Sequence, residues 1–230
     1  MTNNMSIEQK KIKVWDIPTR LFHWLTVGLL FSLWWTADSG EMEWHQICAY
    51  SFMVLIIFRL LWGVIGSETS RFSDFIAGPK KVMAYATGKK TSPVVGHNPL
   101  GGYMVLFMLA VLSLQLVSGL FSSDDIFTEG PLYSMVSSDV SRWFTWLHKV
   151  NFNVILACII LHISVILIYA IRGNNLVSAM ISGNKKLSDE ELSMLPNTPK
   201  MASSILAMSL VLILSAVIGY WLIAPIVAFL

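Results

Sequence analysis

The stretch from Trp146 to Ile171, WLHKVNFNVILACIILHISVILIYAI, is apolar over the length of a membrane-spanning helix and is interrupted by His148 and His162. Fourteen residues at about 1.5 Å rise place the two imidazoles about 21 Å apart along a helix axis, and fourteen steps of about 100° bring the second to within about 40° of the first. One face of one helix therefore offers two imidazoles, one toward each side of a bilayer. An ionisable side chain inside a spanning helix is costly, so the pair is a functional hypothesis by default. The rest of the chain reads as a supply of partners for these two histidines.

A bilayer is the medium that the composition calls for. The 230 residues are 55% hydrophobic and 13% charged, with a mean hydropathy of +0.63, whereas soluble domains are about a quarter charged. Membrane lipid is thus the first partner expected, and a net charge of +2 gives no reason to expect nucleic acid. Cys48 and Cys158 lie inside apolar stretches and form no CxxCH motif, so covalent c-type haem is not expected and both read as packing residues.

Five apolar runs are predicted to span, at about 21–35, 44–65, 100–121, 146–171 and 204–224. Residues 1–13 are polar and expected to fray, and Asp16 with Pro18 reads as the start of the first helix. A signal peptide is the competing reading of the first run, but Trp, Phe and His23 are unusual in a disposable segment. The N-terminal segment and the 66–98 and 172–200 loops hold nearly all the loop Lys and Arg, while the 36–43 loop holds none and the 121–142 loop only Arg142. Basic loops alternate with acidic ones, which places the N-terminus in the cytoplasm and the C-terminus outside. The expected layout is a cytoplasmic N-terminal segment (1–20), a four-helix core (21–172), a cytoplasmic loop (173–203), and a fifth transmembrane helix with the C-terminus (204–230). The fold class is an all-α integral membrane protein: a four-helix bundle plus a fifth helix.

With that topology, His23 lies toward the cytoplasmic side and His45 toward the outer side; His148 is outer and His162 inner. Two couples result, His45 with His148 and His23 with His162. Haem takes one imidazole on each axial position, and a site with both positions filled suits electron transfer. Zinc needs three or four ligands converging on one point, which the couples do not offer. Arg59 lies fourteen residues after His45 and so falls near the inner level. Haem propionates need cationic or polar partners; Arg59 and Arg20 are candidates inside, Arg142 and Lys149 outside. Arg20, Arg142 and Lys149 also read as interfacial anchors, and Arg59 as a side chain snorkelling to the cytoplasmic interface. His97, in Gly96-His97-Asn98-Pro99, has no partner at its level and reads as a loop residue, with a quinone or propionate contact as the alternative. Gln115 reads as an interhelical hydrogen bond in preference to part of a quinone pocket. Most tryptophans fall near span ends, as an interfacial belt does.

VWDIPTRLFHWL, HQICAYSFMVLIIFRLLWGVIG, GHNPLGGYMVL and the His148/His162 pair together resemble the bacterial cytochrome b561 family over residues 14–172. That family includes the b-type cytochrome subunit of membrane-bound nickel-iron hydrogenases. The resemblance implies a four-helix bundle holding two b haems, with His23, His45, His148 and His162 at the positions of the family's ligands. It implies electron transfer between quinone, ubiquinone or menaquinone, and a periplasmic partner such as a c-type cytochrome or a hydrogenase small subunit, in the bacterial inner membrane. Some members oxidise superoxide and reduce quinone; a basic outer funnel would steer that anion, and the outer loops here are acidic. A histidine-based proton or solute transporter without haem is the rival from another class, and it predicts interrupted helices around a midplane site. No residue is assigned a catalytic role.

Overall fold

Local sequence signals start most of the helices. A short strand, β1 (Lys10–Lys13), precedes α1 (Ile17–Asp38), whose N-cap Asp16 accepts the Thr19 N–H at 2.7 Å with Pro18 in the first turn. A three-residue turn leads to α2 (Met42–Ile65), which packs back along α1. Two short helices follow, α3 (Phe72–Phe75) and α4 (Pro79–Ala86). Asn98 caps α5 (Pro99–Leu120), and Ser137 caps α6 (Ser138–Ile171). Then come α7 (Leu176–Ser182), β2 (Asn184–Leu187), α8 (Asp189–Ser193) and α9 (Ser204–Ile218), which continues through a π turn at Gly219–Ile223 into α10 (Ala224–Val227). Pro225, which has no N–H to donate, stands two residues beyond the end of that π turn. This computed structural model describes residues 10–88, 95–126, 128–187, 189–193 and 197–228.

The chain is mostly helical, and among the described residues four helices are long and apolar enough to cross a membrane: Met42–Ile65, Pro99–Leu120, Ser138–Ile171 and Ser204–Val227. The C-terminal helix is one of them. The first expected span is a helix of 22 residues, long enough to cross, but Arg20, His23, three tryptophans and Asp38 keep its composition outside that group. At 34 residues, α6 is about 51 Å long and exceeds the roughly 30 Å hydrocarbon core.

The expectation that residues 1–13 fray is corrected for 10–13; residues 1–9 lie outside the described residues. Lys10–Lys13 pair antiparallel with Asn184–Leu187, Lys10 opposite Leu187 and Lys13 opposite Asn184. The pairing holds because Ile12, Val14, Trp15, Ala179 and Leu187 bury one another in a separate apolar cluster. Gly183 makes the turn possible: its φ of 80° lies in the left-handed region, and its carbonyl accepts the N–H groups of Val14 and Trp15 at 2.8 and 3.1 Å. We refer to this end of the molecule as the ribbon end, and to the opposite end, with the 39–41 turn and the 121–137 loop, as the loop end.

Helices α1 and α2 form one close pair and α5 and α6 another, with α9 laid along α2. Their shared core is a layer of Phe52, Leu55 and Ile56 from α2, Leu109, Val111 and Leu112 from α5, and Ile155 from α6. By contrast, α6 does not pack closely along α1 or α2 on either side of that layer.

One buried carboxylate ties the ribbon end. Besides the α1 cap, Asp16 accepts the Trp62 indole N–H at 3.0 Å and the Ser67 hydroxyl, and it is only 2% exposed. Ser67 Oγ in turn accepts the Ala202 N–H at 2.9 Å, just before α9, and Thr19 bonds Ser70 at 2.7 Å. Asp16→Ala removes a cap, at about 1 kcal/mol, and leaves two buried donors unsatisfied, at about 1 to 3 kcal/mol each. We expect a loss of roughly 3 kcal/mol or more, read as a lowered thermal midpoint in detergent; a variant unfolding with the wild type would show that this node does not hold the helices.

Candidate functional site

The four histidines sit where helix register puts them, on α1, α2 and α6, and their rings meet in two couples. His23 faces His162 with ring centroids 6.4 Å apart, and His45 faces His148 at 6.5 Å. These are the couples that depth along the helices assigns. The Ile155 layer separates them, since Ile155 and Phe52 lie seven residues from His148 and His45 respectively. Both couples bridge the gap between α6 and the α1–α2 pair, where backbone packing is loose.

The loop-end couple is held by hydrogen bonds to its Nδ1 atoms. His45 Nδ1 donates to the Leu33 carbonyl at 3.0 Å, and His148 Nδ1 to the Gln115 carbonyl at 3.0 Å, with Ser118 Oγ at 3.1 Å. Donation from Nδ1 fixes the tautomer and leaves Nε2 free to ligate. Gly119 gives His148 its place: a Cβ there would lie 3.1 Å from the imidazole Cε1 and 3.3 Å from Nδ1. One turn beyond His148, buried Asn151 donates to the Val111 carbonyl at 2.9 Å and to Gln115 Oε1 at 2.8 Å. Gln115 thus makes the interhelical hydrogen bond expected of it.

The ribbon-end couple has a different setting. Among the described residues, His23 Nδ1 is buried without a partner, and so are Arg20 Nε, Thr26 Oγ1, Arg59 Nη1, Thr69 Oγ1 and His97 Nδ1. All six atoms belong to the ribbon-end half. Arg59 is 2% exposed, so it does not snorkel; its guanidinium lies over the Phe72 ring, 5.1 Å from the centroid. His97 lies in the loop before α5, as expected, but its ring is enclosed. Its ring packs between Trp15 and Phe75, each centroid 4.7 Å away, because the 66–78 segment folds under α5. Burial, reinforced by Arg59 and by His162, pushes its imidazole down to about 3, so the ring is neutral, and its one N–H goes to the Thr69 backbone.

The other basic candidates differ. Arg20 donates from Nη2 to the Ile181 carbonyl at the end of α7. Arg142 pairs with Asp139 on the first turns of α6, and Lys149 is exposed beside His148. Thr69, Ser118, Gly119 and Asn151 are the functional candidates that the sequence did not reveal. Asn151 carried a signal, standing three residues after His148 on the same helical face.

A family model described as prokaryotic cytochrome b561 matches residues 14–183. The chain belongs to the prokaryotic cytochrome b561 family. It is 23% identical over 223 residues to a protein of Rhizobium leguminosarum bv. viciae named as a probable Ni/Fe-hydrogenase B-type cytochrome subunit, covering 81% of this chain and 93% of that one. A protein of the same name from Cupriavidus necator is 23% identical over 225 residues, covering 78% and 89%. No solved structure gives a significant match. As a member of this family the chain is a membrane b-type cytochrome that works in electron transfer with haem b.

The residues fit that group. Two metal–imidazole bonds of about 2 Å each, with the reach from nitrogen to ring centre on both sides, span roughly the separation of each couple. The unpartnered buried atoms of Arg59 and Thr69 are both capable of donating to a carboxylate. Among the described residues no cluster of three or more His, Cys, Asp or Glu is placed to hold a metal ion by itself.

The Asn151–Gln115 bond predicts a measurable coupling. Asn151→Leu leaves the half-buried Gln115 amide oxygen without its partner and costs about 1 to 3 kcal/mol. Asn151→Leu with Gln115→Leu costs less than the sum of the singles, by about 0.5 kcal/mol or more in a double-mutant cycle of unfolding in detergent; strict additivity would show that the pair is not coupled.

Proposed function

We propose that this cytochrome carries electrons across a bacterial inner membrane through two bis-histidine b-type haem sites. His45 and His148 form the loop-end site, and His23 and His162 the ribbon-end site. The observation that carries this reading is the pair of facing imidazole couples, 6.4 and 6.5 Å between ring centroids, on either side of one apolar layer. Bound haem supplies one-electron redox chemistry, and imidazoles on both faces leave no coordination position for oxygen or substrate.

The chain's own part is to bind, orient and insulate. Leu33 and Gln115 carbonyls orient the loop-end imidazoles. At the ribbon end, Arg59 and Thr69 offer donors to haem propionates, with Arg20 as a further cation. Arg142, paired with Asp139, and exposed Lys149 serve the loop-end site less directly. The apolar layer of Phe52, Leu112 and Ile155 keeps water from the space between the sites.

The basic ribbon, with Lys10, Lys11, Lys13, Lys185 and Lys186, supports a cytoplasmic ribbon end and a periplasmic loop end. Five spans then place the C-terminus in the periplasm. Quinone, ubiquinone or menaquinone, is the mobile partner on this reading. A c-type cytochrome or a hydrogenase small subunit is the periplasmic one, and the names of the two relatives support the hydrogenase.

A reduced-minus-oxidised spectrum with pyridine haemochrome quantitation tests the reading directly: two b haems per folded chain are expected. His45→Ala and His148→Ala should each leave one haem and the same residual spectrum, and His23→Ala and His162→Ala should both leave the other. Folded, haem-supplied protein without bound haem, or four variants with one common residual spectrum, would falsify the paired sites.

A further inference from the structure

Helix α6 has a second face, opposite His148 and His162, that the rest of the chain leaves open. Val150, Asn153, Ala157, Ile160, Ser164 and Leu167 follow one another there at alternating steps of three and four. All six are exposed, and the close neighbours of α6, helices α5 and α7, leave them uncovered.

Lipid alone satisfies an exposed apolar face, but it does not satisfy Asn153. That residue stands seven positions beyond Trp146, about 10 Å further along the helix and past the level of a tryptophan belt. Its Nδ2 reaches back to the Lys149 carbonyl at 3.3 Å, and among the described residues nothing donates to its Oδ1. Acyl chains offer no donor or acceptor at that depth. Asn151, about 200° around the same helix, shows the contrast: it is buried in the bundle and bonds Val111 and Gln115.

We propose that two copies of the chain pair through this face of α6, with Asn153 hydrogen-bonded to its own counterpart. Copies inserted in one bilayer share an orientation, so the two-fold axis of a closed pair runs along the membrane normal. Each residue of α6 then meets its counterpart at its own depth. An amide is self-complementary in that position, because each Nδ2 can donate to the opposite Oδ1. A seven-residue repeat favours the left-handed crossing of about 20° that keeps such a seam in contact along two helices.

The side chains suit that geometry. Ala157 and Ser164, one repeat apart, are small enough for close backbone approach, while Ile160 and Leu167 fill the layers between them. The Ser164 hydroxyl already donates to the Ile160 carbonyl at 2.8 Å and brings no unmet donor to the seam. One polar amide among apolar layers fixes which layers meet, as a single Asn does in a coiled coil. Lys149 flanks the seam at the loop end, where its ammonium reaches water. The pairing rests on α6 as a spanning helix and is independent of how many haems the chain holds.

The experiment is cysteine cross-linking of the full chain in native membranes, with the wild type as the blank for Cys48 and Cys158. Under a mild oxidant, Ala157→Cys and Ile160→Cys should each give a disulfide-linked species of twice the chain mass. Ile163→Cys and Val165→Cys, exposed on the two flanks of the seam, should not. In detergent, Asn153→Leu should raise the dissociation constant of the purified haem-loaded dimer by about tenfold with the visible spectrum unchanged, and Asn153→Gln should recover part of that loss. A seam cysteine that links to a protein of another mass puts a different chain on this face. Equal cross-linking from seam and flanks, or none from any of the four, leaves the face to lipid. Either result overturns the pairing, and a dimer that Asn153→Leu does not weaken overturns the amide contact.

Discussion

The ribbon end depends on one carboxylate removed from water. Asp16 caps α1, holds the Trp62 indole of α2, and accepts the hydroxyl of Ser67, which in turn holds the backbone just before α9. A buried carboxylate is tolerated only when its acceptor capacity is filled, and here three donors from separate parts of the chain converge on it. Because α1 and α2 are pinned at that point, the depths of His23 and Arg59 are set relative to each other. The turn that carries Ser67, Thr69 and Ser70 is pinned with them, and the 66–78 segment reaches under α5 to enclose His97.

From that anchor the two candidate sites diverge in character. The loop-end imidazoles lean on backbone carbonyls, and a glycine leaves room for one of them. The ribbon-end imidazoles stand among buried polar atoms without partners. Unpartnered buried polar atoms are costly, so six of them among the described residues of one half of a membrane protein is an arrangement that a bound polar group relieves. An apolar layer centred on Ile155 divides the halves and keeps each environment distinct.

Much of this was legible because it is local. Helical period alone puts His148 and His162 on one face. The Asp16–Pro18 start of α1 follows from capping chemistry. Gln115 could be recognised as an interhelical donor or acceptor from its isolation in an apolar helix. Arg59 was legible in depth but not in role, since snorkelling and burial predict the same position along the chain. The strand at Lys10–Lys13 was not legible: its partner lies more than 170 residues away, and its polar alternation looks like a free terminus until Ile12 and Val14 meet Ala179 and Leu187. The enclosure of the His97 ring was not legible for the same reason, because Trp15 and Phe75 reach it from other parts of the chain.

The sequence by itself determined the medium, the helices and the spacing of the four imidazoles, because hydropathy and the helical repeat act over a few neighbouring residues. The tertiary structure decided what surrounds each imidazole: which Nδ1 finds a carbonyl, which cation is buried, and where donors are left without acceptors. Those properties arise only when segments far apart in the chain exclude water together, since a hydrogen bond or a charge takes on its full weight only once its surroundings are desolvated.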